Sequence, residues 1–265
     1  MYELSDKRTI DWPLVSPISL CTVLGVYFYT VFSWGPAYMS LRKPCSLKAV
    51  LAIYNLGQVV ACFALIHGIL HSGWLTTYSM GCQPVDTSTS PEAMRAASMM
   101  WWMYMLKIVE LVETVFFVLR KKQNQVSALH VYHHVSMVLL AWIGVKYFPG
   151  GMITFSVMLN CVVHILMYTY YFLALAGPAM QNKLSWWKRS LTIVQMIQFC
   201  IILIHSSQAL KEDCKISKFL VLLFMPNVVI IFYMFYDFYQ KAYAPKKSRS
   251  VTTNGSVSSN GLKSH

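Results

Sequence analysis

The chain has 265 residues, 56% of them hydrophobic and only 12% charged, which is too apolar for an ordinary soluble domain. Its net charge of +12 comes with no soluble basic domain and no recognition helix, so it is not a nucleic-acid footprint. Residues 1–17 read as a polar arm broken by Pro13 and Pro17. That arm carries Glu3, Asp6, Lys7, Arg8 and Asp11 and no apolar run, so it is not a cleavable signal peptide.

Seven apolar runs follow, at about 18–40, 47–71, 97–119, 126–148, 152–176, 190–210 and 217–240. Each is near the roughly 20 residues that a bilayer-spanning helix needs. Short connections predict antiparallel neighbours in one all-α membrane domain over residues 18–244. The tail, 245–265, is rich in Ser, Asn, Gly and Lys and reads as disordered. One set of alternating ends holds fourteen cations, among them Arg42, Lys43, Arg120, Lys121, Lys122, Lys188 and Arg189, against one anion, Asp237. The other set holds seven cations and seven anions. The positive-inside rule therefore predicts a cytosolic C-terminus and an N-terminus on the far side. Asn254-Gly255-Ser256 matches a glycosylation acceptor, but a cytosolic tail would never meet that machinery.

The first run ends at Leu41-Arg42-Lys43-Pro44, where proline stops the helix. The second holds Asn55 and Gln58, read as interhelical hydrogen-bond partners, then His67 and His71. The exterior loop 73–96 contains Cys82, and the only other cysteine predicted on that side is Cys214. An oxidising lumen would join them; the alternative is two free thiols.

The third run contains Lys107, Glu110, Glu113 and Thr114. Charges at a span centre cost roughly 2.5–3.5 kcal/mol each, so three within seven residues are not incidental. Lys107, Glu110 and Thr114 share one helical face, with Glu113 beside it, and the face must point into the bundle as an ion pair or a site. The fourth run opens with Leu129-His130-Val131-Tyr132-His133-His134. One such histidine could be a satisfied interior residue. Three at i, i+3 and i+4 converge on one point and leave a metal site or acid–base and nucleophilic chemistry. The fifth run adds Asn160 and His164, then Met167-Tyr168-Thr169-Tyr170-Tyr171, tyrosines suited either to an interfacial belt or to substrate contact. The sixth follows Trp186-Trp187-Lys188-Arg189 and places Thr192 and Gln195 one turn apart.

Taken together over about residues 40–245, these motifs resemble the very-long-chain fatty-acid elongase family, the ELO family of 3-oxoacyl-CoA synthases. One departure stands out: the family usually has Asp before the Thr where this chain has Glu113. The resemblance implies six of seven helices around a narrow tunnel open to the cytosol, in the endoplasmic reticulum membrane with a lumenal N-terminus. It implies malonyl-CoA and a long-chain acyl-CoA as substrates, no separate cofactor or metal, and a homo-oligomer or other enzymes of the elongation cycle as protein partners. No cysteine–histidine pair carries motif support, so an imidazole is the expected nucleophile: His133, with His164 assisting, and His130 and His134 orienting it or moving protons. Asn160 would stabilise the enolate. Lys107, Glu110, Glu113, Tyr168, Tyr171, Thr192 and Gln195 complete the expected substrate site, and Arg120, Lys121, Lys122, Lys188 and Arg189 would meet the CoA phosphates.

Two other readings share some of these features. A membrane di-iron desaturase or hydroxylase would use the same histidine cluster, with His67 and His71 as a further box, but no second HxxHH occurs. A seven-helix transporter would explain the buried charges, yet no repeat links the two halves.

Overall fold

The computed structural model describes residues 5–243; the tail, with Asn254-Gly255-Ser256, lies outside the described residues. The described chain is helical, with no strand. The long helices are α1 (Pro17–Ser40), α2 (Lys48–Trp74), α3 (Pro91–Glu110), α4 (Val112–Leu119), α5 (Ala128–Tyr147), α6 (Ile153–Ala174), α8 (Ser185–Leu210) and α9 (Lys218–Tyr243), with α7 (Pro178–Lys183) a short link. Six of them, α1, α2, α5, α6, α8 and α9, are long and apolar enough to cross a bilayer, so this is a multi-pass membrane protein.

The remaining expected span, 97–119, is built differently. It begins earlier, at Pro91, where the Ser90 hydroxyl accepts the Ala93 amide at 3.2 Å and caps the helix. At Leu111 the backbone tightens: Leu111 N–H donates to Ile108 and Thr114 N–H to Leu111, three residues back instead of four. That turn separates α3 from α4, and the segment holds Glu92, Arg95, Lys107, Glu110 and Glu113. Six of the seven expected spans are thus apolar helices long enough to cross, and the seventh is a charged segment interrupted at Leu111.

The helices close on themselves. α2 packs against α3, α3 against α5, α5 against α9, α9 against α8, α8 against α6, and α6 returns to α2. This ring turns Ile53, Phe63, Ile204, Phe219 and Leu222 outward, as a lipid-facing surface requires. α1 lies outside the ring against α4. A π-helical turn at Thr30–Trp34 and Gly35 shape that contact: a Cβ on Gly35 would come within 2.9 Å of the Val118 side chain. Glycine therefore permits the approach.

The end of the bundle opposite the histidines is capped. Asp6 N–H donates to the Lys146 carbonyl at 2.9 Å, and the Thr9 hydroxyl to that of Val145 at 2.7 Å. Arg8 pairs with Asp6 at 2.7 Å and donates to the Asp86 carbonyl at 2.8 Å, fastening the arm to the 75–90 loop. The Asp86 carboxyl is held below the usual carboxylate range by the amide and hydroxyl of Ser88, with Arg8 contributing less. Cys82 and Cys214 are disulfide-bonded, with their Cα atoms 5.9 Å apart, tying that loop to the one before α9.

Candidate active site

Polar side chains of the spans gather inside the ring in two adjacent layers. In the deeper one, Lys107 Nζ donates to both Glu110 oxygens at 2.7 and 2.9 Å and to Asn160 Oδ1 at 3.1 Å. His164 Nδ1 lies 3.3 Å from Glu110 Oε1. Lys107 and Glu110 are 2% and 1% exposed, so these contacts must replace nearly all of their hydration. α3 supplies the ion pair and α6 the amide and imidazole, one helical turn apart on the latter.

The second layer is about one turn nearer the α3–α4 end and centres on Glu113. Its carboxylate accepts the Tyr168 hydroxyl at 2.5 Å and the Tyr54 hydroxyl at 3.1 Å, and stands 3.4 Å from His134 Nε2. Thr114, on the neighbouring position of α4, places its hydroxyl 2.9 Å from His130 Nε2 and 3.1 Å from the Tyr27 phenol of α1. The local cause is the start of α5. The Ser127 hydroxyl caps it by accepting the His130 amide at 3.2 Å, so the histidines occupy its first two turns, alongside α4.

The three histidines are adjacent but do not converge on one partner. The His130 and His134 rings are 4.3 Å apart, and those of His133 and His134 5.4 Å. His130 engages Thr114 and His134 faces Glu113. His133 turns toward Phe235 of α9, at 6.3 Å, and neither ring nitrogen has a hydrogen-bond partner among the described residues. Each carboxylate has an imidazole beside it: His164 stands against Glu110 and His134 against Glu113.

Other expected site residues stand apart. Thr192 is buried, but its hydroxyl donates to the carbonyl of Lys188 on its own helix at 3.3 Å. Gln195 donates to the Met167 sulfur at 3.7 Å. Tyr168 is fully buried at Glu113, whereas Tyr171 is 41% exposed. Arg120, Lys121 and Lys122 form the turn after α4, and Lys188 and Arg189 lie in the first turns of α8, with Arg189 donating to the Tyr239 hydroxyl at 3.1 Å.

Ligand atoms of Glu113, His130 and His134 lie within 4.8 Å of one another and could hold a single metal ion. The second histidine pair does not extend this into a two-metal site. His67 and His71 sit together, 4.5 Å between rings, at the far end of α2, where Arg95 donates to the His71 carbonyl. Arg95 and Thr114 are separated by about 28 Å of helix. The arrangement therefore speaks against the di-iron alternative.

Two contributors escaped sequence reasoning, Tyr54 and Tyr27. A tyrosine in an apolar span carries no signal by itself; the clue for Tyr54 was its neighbour Asn55, with Gln58 one turn on. His205 is a third surprise, buried against Phe155 at 4.1 Å with neither ring nitrogen bonded among the described residues.

Residues 12–251 match the pattern of the ELO: GNS1/SUR4 family. The chain belongs to the ELO family. Among curated ELO relatives, it is 43% identical over 256 residues to very long chain fatty acid elongase 7 of Drosophila melanogaster, covering 95% of this chain and 78% of that one. It is 40% identical over 269 residues to very long chain fatty acid elongase 4 of Mus musculus, covering 98% and 84%. With very long chain fatty acid elongase 1 of Mus musculus it shares 37% over 266 residues, covering 98% and 95%. In this ELO protein Glu113, one methylene longer than the residue the family resemblance led one to expect, is the acceptor for two tyrosines at once.

Proposed function

We propose that this protein is a very-long-chain 3-oxoacyl-CoA synthase, condensing malonyl-CoA with a long-chain acyl-CoA in the endoplasmic reticulum membrane. The observation that supports the chemistry is a His133 imidazole with no hydrogen-bond partner among the described residues, beside side chains that do have partners: Glu113 with His134, His130 with Thr114, and Lys107, Glu110, Asn160 and His164 together. A nucleophile needs a free lone pair, and its neighbours need fixed protonation states.

In the proposed cycle a His133 ring nitrogen attacks the acyl-CoA carbonyl, CoA leaves as the thiol, and an acyl-imidazole remains. Malonyl-CoA then loses carbon dioxide to give an enolate. The enolate carbon attacks the acyl carbon and His133 departs, releasing a 3-oxoacyl-CoA two carbons longer. Asn160 has an amide N–H₂ left over, because its oxygen already accepts from Lys107; this supports its role as donor to the enolate oxygen. His164 and His134, each against a carboxylate, are placed to give and take the proton of the departing thiol. The basic turns at 120–122 and 188–189 suit the CoA phosphates, which with the charge bias of the loops favours a cytosolic face there and a lumenal N-terminus. Homo-oligomers and other enzymes of the elongation cycle are proposed protein partners.

The test is product formation by purified protein in detergent, from labelled malonyl-CoA and acyl-CoAs of sixteen to twenty-four carbons. A 3-oxoacyl-CoA product, lost in His133→Ala, and an acyl mass adduct on the His133 peptide are expected. No product at any chain length from folded protein would overturn the assignment.

A further inference from the structure

The hydroxyl of Thr114 is shared. Among the described residues it is the one partner of His130 Nε2, at 2.9 Å, and it also meets the Tyr27 phenol at 3.1 Å. Tyr27 and Thr114 are 5% and 0% exposed, so both are shielded from bulk solvent. Tyr27 comes from α1, the helix outside the ring. Nothing else in α1 reaches the polar network through a side-chain hydrogen bond among the described residues.

A threonine in a helix has two accessible χ1 wells because its hydroxyl can fold back onto a carbonyl three or four residues earlier. For Thr114 those carbonyls belong to Leu111 and Glu110. Folded back, the hydroxyl would abandon His130. A threonine hydroxyl carries one proton, so it cannot donate to both neighbours. Across these two contacts, the arrangement that leaves neither hydroxyl proton idle has the phenol donating to Thr114 and Thr114 donating to His130 Nε2. That direction places the remaining imidazole proton on Nδ1.

We propose that Tyr27 is a positioning residue for the condensation: by donating to Thr114 it keeps that hydroxyl turned toward His130 and so fixes the tautomer and orientation of this imidazole. The proposal rests on the elongase reading and deepens it. It makes the outer helix a working part of the site. The π-helical turn at Thr30–Trp34 and the Gly35 contact with Val118 follow directly and set how closely α1 docks on α4.

The experiment measures kcat, KM and the pH dependence of kcat in detergent for wild type, Tyr27→Phe, Thr114→Val, Thr114→Ser and the Tyr27→Phe/Thr114→Val double variant. Tyr27→Phe keeps the ring and removes only the donor. It should lower kcat about tenfold, as the loss of one buried hydrogen bond permits, with both KM values unchanged and the pH profile displaced. Thr114→Val should reproduce this, and the double variant should fall no further, because both act on one chain. Thr114→Ser should stay within about twofold of wild type. Wild-type kcat and pH profile in Tyr27→Phe would overturn the inference, as would losses that multiply in the double variant. A loss of rate matched by a lower melting temperature, with the pH profile unmoved, would reduce Tyr27 to packing. Should Tyr27→Phe fail to fold, Thr114→Val reads the same chain with the phenol left in place. Inactive wild type overturns the elongase reading and this inference together; active wild type with an unaffected Tyr27→Phe overturns this inference alone.

Discussion

Lys107 and Glu110 form an ion pair of 2.7 Å one turn apart on α3, at a depth where neither side chain is more than 2% exposed. Removing one partner strands the other charge in the bundle. Lys107→Met should therefore cost about 3–5 kcal/mol, and the double variant Lys107→Met/Glu110→Leu less than either single change. Melting temperature in detergent reads this directly. If Lys107→Met melts with the wild type, the pair is not the structural anchor that its burial indicates.

Glu113 is held by two phenols and an imidazole, a geometry set for the longer acid. Glu113→Asp retracts the carboxylate by one methylene and should weaken at least one of the three contacts, lowering kcat about tenfold without unfolding. Glu113→Gln removes the charge facing His134 and should cost more than Glu113→Asp. Equal activity in all three proteins would show that the carboxylate serves packing only.

The Cys82–Cys214 bond closes a loop across 132 positions of sequence. In the chain-entropy view such a loop stabilises by up to about 5 kcal/mol. Cys82→Ser/Cys214→Ser should melt well below wild type while keeping its rate at low temperature, since the bond lies at the end away from the histidines. The mass of the Cys82 and Cys214 peptides before and after reduction checks the bond itself.

The Asp86 carboxyl is held low by Ser88, so its contribution to the cap is present above the ordinary aspartate value, about 3.9, and is lost as pH falls through the lower folded value. The loop around residues 86–93 should keep its amide protection from neutral pH down to about 5. Hydrogen exchange that rises already near pH 6 would contradict this.

The exposed turn residues offer a cleaner separation of binding from chemistry. Lys121→Ala/Lys122→Ala should raise KM for both CoA substrates severalfold and leave kcat close to wild type, with a steeper effect in low salt. A fall in kcat at unchanged KM would place these cations away from the CoA.

Much of the fold was legible because a bilayer imposes length and apolarity on every crossing helix, and polar groups inside such helices are too costly to be decoration. Lys107, Glu110, Glu113, His130, His134, Asn160 and His164 stand out on those grounds alone, and all seven meet in the interior. In the third span the charges announce an inward-facing side, but nothing in the residue pattern announces the break in the helix at Leu111. Thr192 and Gln195 were singled out by motif, yet their side chains bond within α8 and to Met167.

By itself, then, the sequence determined that the protein is a helical membrane bundle, which residues are too polar to face lipid, and which loops carry the excess cations. Only the tertiary structure decided that Glu110 takes His164 and Glu113 takes His134, that His133 has no hydrogen-bond partner among the described residues, and that Tyr54 and Tyr27 join the site. The physical reason is that periodicity gives each side chain a face on its own helix. The axial offset and rotation between helices distant in sequence, which choose the partner, arise only when the ring closes.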